Sequence, residues 1–263
     1  MLSEIFDEEY TEVNDSAPHW IAFVNVIRQL RKQCPWDRKQ THASLRHLLI
    51  EEAYETIEAL DSEDMQELRI ELGDLLLQIV MHSVIAEETN QFDLAGVVSA
   101  VTDKMIRRHP HVFGDIAVSG VEEVLQNWES LKASERQGAS VLSGVPASLP
   151  ALLCAYRMQE KAASVGFDFP DQESTWAKVE EEIQEFKVAA SDAERENELG
   201  DLLFALVNYA RKTQINPEDA LRGTNRRFRN RLAYVEACVP NMKAADLEEL
   251  DLHWEKSKEL VED

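Results

Sequence analysis

The feature that most constrains this chain is an internal repeat. The block EEAYE at 51–55 recurs as EEIQE at 181–185, and ELGDLL at 71–76 recurs unchanged at 198–203. Three further matches keep the same order: Trp36-Asp37 with Phe167-Asp168, Lys104 and Arg108 with Arg227 and Arg231, and Trp128 with Trp254. Because five blocks recur in order at similar offsets, the sequence indicates one supersecondary unit used twice.

The hydrophobic pattern within each copy is helical. Apolar residues follow the i, i+4, i+7, i+8 spacing that predicts a core-facing stripe, at Leu68, Leu72, Leu75, Leu76, Ile79 and Val80 and again at Leu199, Leu202, Leu203, Leu206 and Val207. A further helix is expected from about Trp20 to Gln33, and Ser191 with Glu194 is typical of a capping box. No segment alternates like a strand, so we predict an all-α protein.

The domain organisation follows from the repeat. The glycines and prolines between 136 and 150 predict a linker. We therefore expect an N-terminal domain at 1–135 and a C-terminal domain at 151–263. The connector between the two acidic helices of each copy is short, so these helices are predicted to be antiparallel neighbours. A second copy of the chain would complete a four-helix bundle, which predicts a homodimer.

Charge and cysteine content narrow the possible partners. The chain has 50 acidic and 27 basic residues, a formal net charge of −23. Such a field repels nucleic acids and anionic membranes, so neither is expected as a partner. Three scattered cysteines, with no long apolar run or signal peptide, predict a cytoplasmic protein. The histidines show no metal-ligand spacing, so zinc is not expected.

The repeated acidic residues form the strongest functional signal. Residues three apart share a helix face, so Glu52 pairs with Glu55 and Glu71 pairs with Asp74. Facing pairs would place four carboxylates around one point, where their repulsion requires a divalent cation, Mg²⁺ or Mn²⁺. The alternative is a solvated acidic face. Against it, the acids adjoin the apolar stripe, and glycine at 73 and 200 inside strong helices predicts close backbone approach.

These motifs together resemble the MazG-type nucleoside triphosphate pyrophosphohydrolases. The resemblance rests on EExxE followed by ELGDLL, on CPWD at 34–37, on RRHPHVF at 107–113 and on VGFD at 165–168. It implies cleavage between the α and β phosphates with Mg²⁺ as cofactor. The implied metal ligands are Glu182, Glu185, Glu198 and Asp201, with a weaker second site at Glu52, Glu55, Glu71 and Asp74. Either Glu181 or Glu185 would take the proton from the attacking water.

Cationic residues distinguish the two copies. Lys178 lies one turn before Glu182, where the first copy has Leu48. We therefore expect the C-terminal copy to be the main active site and the N-terminal copy to be mainly structural. Arg227 and Arg231 lie four residues apart on one helix, a spacing that allows both guanidinium groups to contact the phosphates of a nucleotide. Arg195 is either a third phosphate contact or an ordinary surface ion pair. Trp254 resembles the tryptophan with which the family contacts the nucleobase, although a tryptophan on a helix is also typical of a hydrophobic core. Asn208 either contacts the base or ribose or has a buried capping role.

Three functions remain open at this point. The first is hydrolysis of many ribo- and deoxyribonucleoside triphosphates to monophosphate and pyrophosphate, which suits nucleotide housecleaning. The second is a narrower pyrophosphatase of the same fold that acts on dCTP, dUTP or phosphoribosyl-ATP. The third is a helical scaffold that senses nucleotides without turnover. Lys178 with Arg227 and Arg231 favours an enzyme, because a scaffold has no need to place cations opposite four acids.

Overall fold

The structure, a computed structural model, describes residues 16–121, 123–124, 127–128, 131 and 140–260. The chain divides into two compact units, Met1–Glu135 and Arg136–Asp263. The described residues form helices and no strands, which confirms the all-α prediction. None of the described helices combines the length and apolar character needed to cross a membrane. Part of the expected linker, 136–139, lies outside the described residues, and the rest of it forms turns.

The first unit is built on a helical hairpin. Among its described residues, the bounded helices up to residue 113 are α1 (Ser16–Gln33), α2 (Arg46–Asp61), α3 (Met65–Glu88), α4 (Leu94–Arg108) and the single turn α5 (Pro110–Phe113). Helices α2 and α3 pack along each other across a three-residue connector, and we call this pair the N-terminal hairpin. The side chain of Asp64 caps α3 by accepting from the backbone N–H groups of Gln66 and Glu67.

The second unit is also built on a helical hairpin. It contains α6 (Ala151–Ser164), α7 (Gln172–Val188), α8 (Asp192–Lys212), α9 (Pro217–Cys238) and α10 (Leu247–Leu260). Helices α7 and α8 pack together as the C-terminal hairpin. The predicted capping box is present, because Ser191 accepts from the N–H of Glu194 while the Glu194 carboxylate accepts from the N–H of Ser191.

The first unit's core lies where α1 crosses α3. Its buried side chains are Val24, Ile27, Leu45, Val80, Met81, Val84, Ile85 and Leu94. The four that α3 contributes, from Val80 to Ile85, lie in its C-terminal half, away from the acidic end of the hairpin. The hydrophobic packing therefore anchors the end of α3 that lies away from its acidic residues.

The apolar stripes on α3 and α8 face the core of a single chain only in part: Val80 and Val207 are buried, but several other stripe residues are exposed, contrary to the sequence-based expectation. Leu72 is 52% exposed and Leu199, its counterpart in the repeat, is 45% exposed. The next stripe positions are exposed as well, at Leu76, Ile79, Leu203 and Leu206. The physical reason is that a two-helix hairpin buries only one side of each helix. The opposite side keeps its apolar residues in contact with solvent.

The glycines inside these helices do not meet another part of the chain. A Cβ atom built on Gly73 or Gly200 would have no heavy atom within 4 Å outside its own helix. The expected close backbone approach is therefore wrong for the single chain. Each glycine directly follows an exposed leucine of the stripe. Because glycine has no side chain, the helix surface at this position is not covered by any other part of the chain.

Candidate active site

The N-terminal hairpin brings carboxylates from its two helices together. Oxygens of Glu52, Glu55 and Glu71 lie within 4.8 Å of one another. Asp74 lies outside this tight group, but together with burial and Glu55 its charge raises the pKa of Glu52. We call these four residues the N-terminal acid cluster.

The C-terminal hairpin repeats the arrangement. Oxygens of Glu182, Glu185 and Glu198 again lie within 4.8 Å of one another. Burial raises the pKa of Glu198, and the charges of Glu185 and Asp201 raise it further. These four residues are the C-terminal acid cluster, in which Asp201 is again the outlying member.

The donor atoms of both clusters fit a divalent cation. Every candidate ligand is a carboxylate oxygen, the type that hard cations such as Mg²⁺ prefer. One oxygen in each cluster, Oε2 of Glu71 and Oε2 of Glu182, is buried without a hydrogen-bond partner. A buried unpaired carboxylate oxygen is costly, and a cation supplies the missing partner. Among the described residues, these two clusters are the only groups of three or more possible metal ligands.

Lys178 is held against the C-terminal acid cluster. Its Nζ lies 2.6 Å from Glu182 and 2.8 Å from Glu181. Hydrogen bonds to Glu181 and Glu182 raise the pKa of Lys178, so it carries a full positive charge. Glu181, one of the two candidate proton acceptors, is therefore bound to Lys178 and lies outside the tight oxygen group, whereas Glu185 lies within it.

The N-terminal acid cluster has a neutral partner instead. Leu48, the counterpart of Lys178, packs against the hydrophobic core. The nitrogen Nε2 of Gln78 on α3 lies 3.5 Å from Glu52, the counterpart of Glu182. The same carboxylate position is thus contacted by a cation in one copy and by an amide in the other.

The predicted arginines have local partners. Arg195 forms an ion pair with Asp192, 2.9 Å away in the first turn of α8, which is the surface pair left open as an alternative. On α9, Arg227 donates to the hydroxyl of Thr224 at 2.9 Å, and Arg231 lies half-buried one turn later. Their role as phosphate contacts stays a prediction.

The two predicted nucleoside contacts also have partners within the chain. The ring of Trp254 packs on Phe228, with 5.3 Å between centroids, which joins α10 to α9. Asn208 accepts hydrogen bonds from the guanidinium of Arg211 at 2.7 and 3.1 Å. Asn208 also lines a 480 Å³ cavity with Phe167. These contacts serve packing and orientation, and base or ribose binding stays a prediction for both.

Sequence reasoning missed an ionic clamp in the second unit. Asp168, from the repeated aromatic-acid motif, forms ion pairs with Arg211 and with Lys212, the latter at 2.8 Å. Burial disfavours the Asp168 carboxylate, but hydrogen bonds from Lys212 and Arg211 outweigh it and lower its pKa. The clamp ties the loop before α7 to the end of α8. No spacing rule connects positions 43 residues apart, so the sequence offered no signal for it.

A histidine pair was missed for the same reason. The Nδ1 atoms of His42 and His82 lie 2.8 Å apart, and their rings are stacked. This distance fits a hydrogen bond between two imidazoles. No third possible metal ligand joins them among the described residues.

Comparisons with known proteins agree with the resemblance. A family model described as the MazG nucleotide pyrophosphohydrolase domain matches residues 40–113. A Thermotoga maritima protein named nucleoside triphosphate pyrophosphohydrolase/pyrophosphatase MazG is 42% identical over 243 residues, which cover 89% of this chain and 94% of that protein. A nucleoside triphosphate pyrophosphohydrolase of Escherichia coli K12 is 40% identical over 250 residues, which cover 90% of this chain and 95% of that protein. A protein of the same name from Mycobacterium tuberculosis is 35% identical over 207 residues, which cover 77% of this chain and 60% of that protein.

We predict that Asp168→Asn destabilises the protein by about 1–2 kcal/mol at neutral pH, because the clamp loses its charge-assisted hydrogen bonds. The folded pKa of Asp168 is lowered, so its contribution to stability is present above the unfolded pKa and is lost as pH falls through the folded pKa. Urea unfolding at several pH values should therefore show a difference that shrinks in acid. Glu160→Gln, in the exposed pair with Arg157, is the control and should change little. A difference that does not depend on pH would contradict the clamp.

Proposed function

Because this chain belongs to the MazG family of nucleoside triphosphate pyrophosphohydrolases, we propose that it performs that hydrolysis at its C-terminal acid cluster. The chain is an enzyme that hydrolyses nucleoside triphosphates to monophosphate and pyrophosphate. Support for the C-terminal cluster comes from one observation: Lys178 adds a cation beside Glu182, whereas Leu48 at the corresponding N-terminal position is part of the core. In a chain of net charge −23, a triphosphate needs such a local cation.

We propose Mg²⁺ as the cofactor, with Mn²⁺ as a substitute. Glu182, Glu185, Glu198 and Asp201 would hold it. A bound divalent cation neutralises phosphate charge, polarises the α-phosphoryl group and lowers the pKa of a bound water.

The protein side chains then have distinct roles. Lys178 fixes one oxygen of Glu182 and adds positive charge next to the phosphates. The proton acceptor is Glu181 or Glu185, and the ion pair between Lys178 and Glu181 makes Glu181 less available in the free enzyme. Arg227, Arg231 and Arg195 are proposed to contact phosphate oxygens, and Trp254 and Asn208 the nucleoside. A broad range of ribo- and deoxyribonucleotides, suited to housecleaning, is part of this proposal.

Product analysis tests the reaction and the substrate range. The purified protein with Mg²⁺ should convert several ribo- and deoxyribonucleoside triphosphates to monophosphate and pyrophosphate, separated by ion-exchange chromatography. Diphosphate with orthophosphate would contradict α–β cleavage. Turnover of dCTP or dUTP alone would favour the narrower pyrophosphatase, and binding without turnover would favour the scaffold.

Matched substitutions test which of the two acid clusters catalyses the hydrolysis. Glu182→Ala and Asp201→Ala should abolish turnover, because each removes a proposed ligand of the catalytic cation. Glu52→Ala makes the same change as Glu182→Ala at the corresponding N-terminal position and should leave most of the activity. Equal losses from Glu52→Ala and Glu182→Ala would refute the assignment of the main site to the C-terminal copy.

We also propose that the chain forms a homodimer through the unpaired hairpin faces. The exposed stripes on α3 and α8 carry leucines at equivalent positions, and each includes a glycine with open space around it. Such a surface allows a second pair of helices to approach closely and form a four-helix bundle. The burial of these leucines would provide the free energy of association.

Sedimentation analysis tests the dimer. The wild-type protein should sediment at twice the chain mass of 30.0 kDa, and Leu76→Glu with Leu203→Glu should shift it toward monomer, because each places a charge in the proposed interface. Leu247→Glu is the control, since Leu247 is 78% exposed at the start of α10, outside the stripes. A wild-type monomer, or a double variant that stays dimeric, would contradict this interface.

A further inference from the structure

The ionic clamp of the second unit also orients a neighbouring amide. Asp168 pairs with the guanidinium of Arg211, and this guanidinium donates to Oδ1 of Asn208 from Nε at 3.1 Å and from Nη2 at 2.7 Å. Lys212 contacts the other carboxylate oxygen of Asp168 at 2.8 Å. We call Asp168, Arg211 and Asn208 the orienting triad.

The orienting triad fixes the polarity of the Asn208 amide. A guanidinium has N–H donors and no acceptor, so the atom of Asn208 that faces Arg211 has to be the carbonyl oxygen. The Nδ2 atom at the other end of the amide has no hydrogen-bond partner among the described residues. Because Asn208 lines the 480 Å³ cavity, its amide is presented to a ligand there as a donor and not as an acceptor.

The first unit has apolar residues at the helix positions of the orienting triad. With the two ELGDLL blocks aligned, Met81 corresponds to Asn208. Val84 corresponds in the same way to Arg211. Both Met81 and Val84 are buried in the hydrophobic core of the first unit. A polar group that is partly removed from water costs free energy that an apolar residue avoids. The repeated fold does not need polar residues at these positions, so their presence in the second unit points to a ligand.

The cavity lies along the same helix as the C-terminal acid cluster. Asn208 follows Asp201 by seven residues on α8, which places it two helical turns, or about 10 Å, farther along the same helix face. Phe204 lies between them and also lines the cavity. A nucleotide whose phosphates occupy the proposed metal site can therefore extend along α8 and bring its base to Asn208.

We propose that Asp168 and Arg211 are positioning residues that make Asn208 a dedicated hydrogen-bond donor to the base of the nucleotide. This role rests on the proposed function, because it requires the nucleoside to lie in the cavity. A carbonyl oxygen satisfies such a donor, whereas an amino group meets it as a second donor. The site therefore favours bases with a carbonyl group at the contacted position, such as uracil and hypoxanthine, over cytosine and adenine, which carry an amino group there.

Two pairs of nucleotides test the donor role in the wild-type protein. UTP has a carbonyl oxygen where CTP has an amino group, and ITP differs from ATP in the same way. We expect kcat/KM to be about tenfold higher for UTP than for CTP and for ITP than for ATP, because one hydrogen bond is replaced by two facing donors. All four remain substrates, since one hydrogen bond changes the rate by only a limited factor.

Binding of the monophosphates gives a readout that needs no turnover. Calorimetric titration should show tighter binding of UMP than of CMP and of IMP than of AMP. Failure of the proposed hydrolysis would appear as an absence of products, and this binding comparison would still decide the donor role. Equal affinities within both pairs would overturn the proposal.

Asn208→Asp should invert the preference. One oxygen of the new carboxylate keeps the contact with Arg211, and the other faces the cavity as an acceptor. We expect this variant to prefer CTP over UTP and ATP over ITP, a reversal that a merely structural role for Asn208 would not produce. An Asn208→Asp variant that hydrolyses these nucleotides with the wild-type preference would overturn the proposal.

Arg211→Lys tests the positioning role. Lysine is a point charge without the planar fork of donors, so it keeps the pairing with Asp168 but does not fix the orientation of the Asn208 amide. Both substrate ratios should move toward one, with a larger change in KM than in kcat. Arg157→Lys is the control, because it makes the same change in the exposed ion pair with Glu160 and should leave both ratios unchanged. Unchanged ratios in Arg211→Lys would overturn the positioning role.

Discussion

Repulsion between carboxylates is the interaction on which the rest of this structure depends. Each hairpin holds oxygens from three glutamates within 4.8 Å of one another and leaves a buried carboxylate oxygen without a donor. Such an arrangement persists only when cations or protons offset the like charges. The hairpins supply a rigid frame for it, because helix packing along their length fixes the positions from which the acidic side chains extend. The same repulsion makes each cluster a place where a divalent cation is strongly favoured.

The two copies differ in how they offset this charge. Lys178 contributes a cation to the C-terminal acid cluster, and the capping box turns Glu194 away toward backbone N–H groups. In the N-terminal hairpin Leu48 packs against the core, and Glu67 lines the same cavity as Glu71. The two hairpins therefore place nearly the same carboxylates together but differ in the positive charge beside them, and this difference is the basis for proposing that the triphosphate binds at the C-terminal acid cluster.

The unpaired apolar faces show where the sequence pattern was informative but incomplete. The spacing of Leu72, Leu76 and Ile79 predicted a stripe on α3, and the stripe exists. Only part of it faces the core of the single chain, with Val80 buried and the three residues above exposed, because periodicity shows that residues share a helix face but does not show what covers that face. The glycines illustrate the same limit. They mark a place that allows close approach, yet nothing in this chain approaches it.

The sequence by itself determined the helices, the hairpin pairing, the capping box and the eight acidic residues of the two clusters. Each depends on contacts a few residues apart or on a repeat that can be compared with itself. Only the tertiary structure decided which groups meet from distant positions: Asp168 with Arg211 and Lys212, His42 with His82, and Gln78 with Glu52. The physical reason is that helix periodicity fixes the direction of a side chain on its own helix. The partner it meets depends on how helices distant in sequence pack together.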